Sequence, residues 1–483
     1  MELTVKTKIR KKNAYRGGVV SALILLAALL AAVALNLLAG ALPRKATKID
    51  LTGRGVYSLS GETTERLRAL EEKVTLTLLA PAGKEDSVLL SVLEKYAAES
   101  PMVVFEEKDP ALYPHYAERF TEEAVSENSV VVESARRARF IAYGDLYRTD
   151  VDEEVYAATG TEGVTTLFVG ESRITSAIDF VTGDRLPKLL RLTGHGEAAL
   201  PEGFAAGLAL ANYEVEEIRL LSLPAVPEGD LLLINDPETD LTEEEAQAIG
   251  EFLGKGGSLL LLTDYETKEL PRIDALTASY GMRAARGLVV EGDGGHAIYS
   301  YPYYLLPDAG DGEIAGSVKD RDFLAVTPMA HGILFEENLP KALVPEELLK
   351  TSGKAYLKAG IRDGESVEKD AGDPTGAYLI GAAATKNAGE ENESLLIWFS
   401  SASMTDDAVD GISSGGNVRL ILAAIGKAVG QESLLPIGEK NVSYAHLTVP
   451  ARDVRIASIL LIGVLPAGIL LAGGVILWQR RRR

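Results

Sequence analysis

The chain has 483 residues, more than the ~100–200 of an ordinary domain, and 70 acidic against 49 basic side chains give it a net charge of −21. That charge excludes a compact nucleic-acid binder, which needs a basic surface to neutralise phosphate. Hydrophobic residues at 46% and charged residues at 25% exclude a disordered or collagen-like chain, and the absence of cysteine excludes disulfides, thiolate metal sites and a Cys nucleophile.

In chain order the first feature is a basic tail, residues 1–16, with Lys6, Lys8, Arg10, Lys11, Lys12 and Arg16. Residues 17–42 carry no charge, and thirteen Val, Ile or Leu lie between Val19 and Leu42, enough for a span of about 20 apolar residues. Ala39-Gly40-Ala41 has the form of a signal-cleavage site, but a signal core is only about 7–15 residues long. A second apolar segment, residues 454–478, has thirteen Val, Ile or Leu from Ile456 on, with Pro466 placed to kink it. Residues 479–483 end the chain in Arg480-Arg481-Arg482-Arg483. The middle of the chain stands at about −30 and both ends are basic. The expectation is therefore a two-pass cell-membrane protein with two transmembrane helices, both termini cytoplasmic and an extracytoplasmic centre.

The centre begins with Ile49 to Ser60, where Ser60 is placed to cap a helix from Glu62 to Glu72. Val74 to Leu79 alternates as a strand, Ser87 to Ala98 has helical spacing, and Met102 to Phe105 is β-rich, so a parallel βαβ unit is predicted. A helix from Tyr113 to Glu123, strands at Ser129–Val132 and Phe140–Tyr143, and a helix at Ile174–Val181 complete an N-terminal α/β domain, residues 43–186. The second domain, residues 187–433, starts with a strand at Leu189–Leu192, then Thr193-Gly194-His195-Gly196-Glu197 and a helix at Phe204–Ala211. Leu231–Ile234 and Ser258–Thr263 are continuous apolar runs, as expected of strands buried on both faces. Between them Thr242 and Glu245 form a capping-box pattern. The fold class is α/β with a doubly wound sheet, whose ligand positions lie at the carboxyl ends of the strands. The Gly-rich stretch 281–371 contains Tyr299, Tyr301, Tyr303 and Tyr304, the pattern of a strand face or of a sugar- or peptide-binding surface. Strands at Tyr378–Ile380 and Leu395–Phe399, a helix at Asn417–Val429 and a stalk, residues 434–453, follow.

These features together resemble the GldG-like family, the gliding-motility type of ABC transport auxiliary subunit. The resemblance rests on the N-terminal apolar segment, Asp50-Leu51-Thr52 with Tyr57-Ser58-Leu59-Ser60, and the amidotransferase-like strand–turn–helix from Leu231 to Gly257. It implies a bacterial membrane subunit acting beside a separate ABC permease and a cytoplasmic ATPase, its outer domain binding or coupling substrate, with no nucleic-acid partner and with an oligomer open to it. A freestanding extracytoplasmic receptor or cell-wall binding protein is the alternative, and a divergent serine hydrolase a further one.

Motifs for chemistry are mostly missing. The nearest string to a P-loop, Gly254-Lys255-Gly256, has glycine where Ser or Thr must follow lysine. An amidotransferase needs a Cys nucleophile with an activating His, so the domain is expected to be catalytically silent, with no catalytic residue, no metal and no cofactor. Gly411-Ile412-Ser413-Ser414-Gly415 matches G-x-S-x-G, but no strand leads straight into it, and a helix cap explains it. Asp236, Glu238 and Asp240 have the alternate spacing of a calcium loop, without its glycine at position six or glutamate at position twelve. His115, His195, His296, His331 and His446 are dispersed. Of these, His195 with Glu197 is the candidate ligand-binding site, because it follows the end of a strand.

Overall fold

The computed structural model of the chain describes residues 26–27, 29–30, 33, 58–121, 125–151, 164–266, 268–319, 323–361, 366–431, 440–442 and 464–482. The chain divides into two compact units, residues 1–148 with 168–440, and residues 149–167 with 441–483.

In the first unit Ser60 caps helix α1 (Gly61–Ala69), its hydroxyl accepting from the Thr63 N–H at 3.1 Å. The alternating run forms β1 (Val74–Leu79), and α2 (Ser87–Glu99) crosses to β2 (Val103–Lys108), parallel to β1 as predicted. β3 (Ser129–Glu133) and β4 (Ala138–Ile141) add antiparallel strands, giving the order β2-β1-β3-β4. The helix expected from Tyr113 to Glu123 is one turn, Pro114–Ala117, after which the N–H groups of Phe120 and Thr121 turn back to the Ala117 carbonyl. Helix α3 (Gly170–Thr182) packs against β3 and β4.

The larger sheet begins with β5 (Lys188–Leu192), α4 (Glu202–Leu210), β6 (Glu214–Ile218), β7 (Leu231–Asn235), α5 (Glu243–Gly254) and β8 (Ser258–Leu262). It continues with α6 (Pro271–Ala278), β9 (Met282–Ala285), β10 (Gly332–Phe335), β11 (Leu343–Lys350), β12 (Leu379–Lys386) and β13 (Ser394–Phe399). Five strands run parallel in the order β6-β5-β7-β8-β13, and β12, β11, β10 and β9 extend the sheet antiparallel beyond β13. Counted along the parallel part this is the order 2-1-3-4-5 of a doubly wound sheet. Helices α7 (Asp407–Ile412) and α8 (Gly416–Ala428) follow.

The apolar runs are continuous because both faces are covered. Leu231, Leu233, Leu260 and Leu262 join one core with Phe204 and Leu208 of α4 and with Leu420 to Ile425 of α8. Leu232, Ile234, Leu259 and Leu261 join the opposite core with Ile249 and Leu253 of α5 and Ile273 of α6. Each fully buried leucine contributes about 1.5–3 kcal/mol. The predicted capping box is present: the Thr242 hydroxyl accepts from the Glu245 N–H, and Glu245 accepts from the Thr242 N–H at 2.8 Å.

The expectation of two transmembrane helices, and with it the two-pass localisation, is corrected. Among the described residues no helix is long and apolar enough to cross a membrane. In the second unit the C-terminal segment forms α9 (Leu465–Arg482). The described apolar part of α9 ends at Trp478, ahead of Gln479 and Arg480, and rises about 21 Å against a hydrocarbon core about 30 Å thick. Pro466 stands in the first turn of α9, where a missing N–H is tolerated. The first apolar segment lies largely outside the described residues, as do Asp50-Leu51-Thr52, Tyr57 and most of the stalk; Leu26, Leu29, Leu30 and Val33 are helical and exposed.

Because Leu260 is completely buried beneath α8, Leu260→Ala should cost about 2–5 kcal/mol in urea unfolding, with the slope against denaturant unchanged.

Candidate functional site at the strand ends

The order of the parallel strands reverses between β5 and β7, and the crevice outside their carboxyl ends is where a doubly wound sheet places ligands. Here that position is filled by the turn after β5. Gly194 at φ +124° and Gly196 at φ +83° occupy backbone conformations that side chains disfavour. A Cβ on Gly196 would also come within 2.9 Å of the Glu238 side chain. The His195 carbonyl accepts from the N–H groups of Glu238 (2.9 Å) and Thr239 (3.0 Å), which ties the turn to the loop after β7.

The structure brings His195 and Glu197 together and adds a residue that the sequence reading assigned only to helix capping. His195 Nδ1 lies 3.1 Å from Glu197 Oε1, and Nε2 lies 3.1 Å from Glu245 Oε2. The His195 N–H also donates to Glu197 at 2.8 Å. The side chains of Glu197 and Glu245 are 2% and 4% exposed. Burial works against the charge of Glu245, but hydrogen bonds from Thr242 and from the His195 ring hold its carboxyl below the usual carboxylate range. The cluster ties the end of β5 to the start of α5 and engages both ring nitrogens of His195.

One strand further on lies a second polar group that the sequence reading did not find. Asp264 follows the end of β8, accepting from the Tyr265 N–H at 2.6 Å and from the Ser403 hydroxyl at 3.2 Å. Burial, and then the charge of Asp236 at the end of β7, push its carboxyl up to about 7. Asp236 takes a left-handed conformation, φ +47°, which Asp tolerates better than most residues. A signal was present: both carboxylates stand within two residues of the end of a buried strand.

Beside them runs a closed hydrogen-bond chain. The Trp398 indole donates to Thr263 Oγ1 at 2.8 Å, Thr263 Oγ1 lies 2.8 Å from His331 Nε2, and His331 Nδ1 lies 2.9 Å from the Gly332 carbonyl. The chain closes with Nδ1 donating and Nε2 accepting, as in a neutral ring, and burial pushes His331 down to about 4.

The remaining motifs are explained locally. The Ser413 hydroxyl donates to the Asp410 carbonyl at 2.8 Å and accepts from the Asn417 N–H at 3.2 Å, a cap buried after α7 with no strand leading into it. Asp240 accepts from the N–H groups of Arg272 and Ile273 at the start of α6, so it does not converge with Asp236 and Glu238. Lys255 caps the carboxyl end of α5, the wrong end of a helix for a phosphate. His115 pairs with Glu118 at 2.7 Å and His296 with Asp308 at 3.4 Å, while His446 lies outside the described residues. Among the described residues no group of three or more His, Asp or Glu could hold a metal ion. Tyr301, Tyr303 and Tyr304 form a ring cluster with centroids 5.6–6.2 Å apart, and Tyr299 is 94% exposed beside it. A cleft of about 890 Å³ opens away from the strand ends, between α1 and α3 on one side and α8 on the other, with Glu62, Arg66, Asp179, Glu313 and Lys427 in its walls.

No protein-family model and no curated protein matches the chain. Among solved structures it is similar to the mmIFT52 N-terminal domain, at 14% identity and a TM-score of 0.36, over 50% of this chain and 96% of that one. It is also similar to a putative ThuA-like protein from Bacteroides uniformis, at 14% identity and a TM-score of 0.31, over 51% and 92%. PurLQS from Thermotoga maritima matches at 9% identity and a TM-score of 0.25, over 51% and 98%. At these TM-scores the likenesses decide neither fold nor function.

Asp264 gives the site a pH dependence of known sign. A carboxyl raised in the folded state favours folding fully below its unfolded value near 4, and that contribution is lost as pH rises through about 7. Asp264→Asn should therefore be more stable than the parent to urea at pH 8, with the difference shrinking steadily towards pH 4.

Proposed function

We propose that the chain is a non-catalytic auxiliary subunit of a GldG-like ABC transport system, its doubly wound sheet serving as a binding or coupling element beside a separate permease and ATPase. One observation carries the non-catalytic part. At the reversal of strand order His195 is engaged at both nitrogens by the buried carboxylates of Glu197 and Glu245, and no cysteine stands anywhere in the chain. An amidotransferase-like sheet without a Cys nucleophile, and with its strand-end histidine held between two carboxylates, keeps its capacity to bind. The chain also has no phosphate-binding loop, so in this reading a partner hydrolyses ATP. The transport part of the reading rests on the resemblance quoted above, from the 50–60 motif and the Leu231–Gly257 strand–turn–helix.

The test is purification of the tagged full chain from its native host under mild detergent. A multi-span permease and an ATPase are expected to co-purify. If the intact chain comes down with neither, the transport reading is lost. If the purified chain alone hydrolyses ATP, or hydrolyses a model amide or ester in a His195-dependent way, the non-catalytic reading is lost.

A further inference from the structure

Glu171 stands in the first turn of α3, yet its side chain is only 2% exposed. Its Oε1 accepts from the Ser60 N–H at 2.6 Å. Its Oε2 pairs with the Lys440 ammonium and receives no other hydrogen bond. Lys440, itself 11% exposed at the side chain, also donates to the Ser58 carbonyl. The polar groups around them are neutral: the Tyr96 hydroxyl donates to the Glu171 carbonyl at 3.0 Å and lies 2.6 Å from Thr175 Oγ1, which is 3.2 Å from Thr63 Oγ1. Among the described residues Lys440 is thus the cation paired with this carboxylate.

The three partners come from distant parts of the sequence. Ser58 and Ser60 begin the long described part of the first unit, and Lys440 is that unit's last residue. Ser58-Leu59-Ser60 is also the described remainder of the motif on which the family resemblance was drawn. It is placed here by its main chain, the Ser58 carbonyl on Lys440 and the Ser60 N–H on Glu171, while the Ser60 hydroxyl caps α1.

A buried carboxylate that loses its counter-charge is strongly destabilised, far beyond the net worth of the pair. A hydrogen bond to the charged form is likewise stronger than one to a neutral group. Docking of Lys440 therefore strengthens the hold on Ser60, and by linkage the reverse is equally true. We infer that Glu171 is a latch joining the segment that enters the α/β unit at Ser58–Ser60 to the segment that leaves it at Lys440, so that release of either loosens the other. This goes beyond the transport reading and holds whatever the chain's partner is. A pull on one flanking segment is passed through α3 to the other.

The test is amide hydrogen exchange on the full-length chain, comparing the Ser60 amide with that of Leu261 in β8. In Lys440→Met the Ser60 amide should exchange about tenfold faster or more, with Leu261 unchanged. Lys440→Arg, which restores the charge, should return Ser60 close to the parent rate. In a Glu171→Gln background, where there is no charge to compensate, adding Lys440→Met should change Ser60 no further. An unchanged Ser60 rate in Lys440→Met overturns the latch. So does an equal acceleration of Ser60 and Leu261, which would make the contact a contributor to global stability alone. A full effect of Lys440→Met in the Glu171→Gln background would likewise remove Glu171 as the link.

Discussion

Burial of the central strands on both faces is the constraint on which the rest of the fold depends. Leu231 to Ile234, Leu259 to Leu262 and Leu396 to Phe399 are at most 2% exposed, so no residue along them can turn a polar group towards water. Helices must then cover both sides, α4 and α8 on one and α5 and α6 on the other. Polar chemistry is displaced to the residues where the strands run out: His195 after β5, Asn235 and Asp236 after β7, Thr263 and Asp264 after β8, Ser400 after β13. The candidate site is thus a consequence of apolar layering before it is a consequence of any motif.

Position at a strand end does not by itself decide what a residue can do. His195 and Asp264 follow two strands of the same sheet, β5 and β8, with β7 between them, under the same topological rule. The first meets a carboxylate on each side and is fixed by them. The second meets burial and the like charge of Asp236, and its carboxyl is pushed up to about 7. What faces each group, and not the strand end itself, sets its environment. The buried chain Trp398–Thr263–His331 is a third outcome, in which burial favours the neutral ring and the hydrogen bonds around it suit that form.

What was legible in the sequence follows the same physics. β1, β7 and β8 were readable because their apolar pattern is local and strong, and the Thr242–Glu245 capping box because both partners lie within one turn. The strand–turn–helix at His195 was readable for the same reason. Its second carboxylate was not, because Glu245 lies fifty residues on, already assigned to a cap. Residues 281–371 resisted reading because several of their strands are two or three residues long, such as Ala297–Ile298 and Asp308–Ala309. Pairing between distant segments holds them, so little shows in their own pattern. The second apolar segment misled for a different reason: composition records how many apolar residues there are, not how long a helix they make, and among the described residues no helix is long and apolar enough to cross a membrane.

Glu171 shows the limit most clearly. An acidic residue in the first turn of a helix is what a solvated, dipole-favoured start looks like in sequence, and here it is almost fully buried. Lys440, 269 positions away, brings a positive charge to the same place, and the Ser60 N–H donates to the same carboxylate. An apolar pair of similar volume would often hold such a site as well or better. What an apolar pair could not do is fix which main-chain atoms meet, and here the Ser60 N–H and the Ser58 carbonyl are selected by the direction of the charges. The buried pair is therefore better understood as specifying where two distant segments join than as a store of stability.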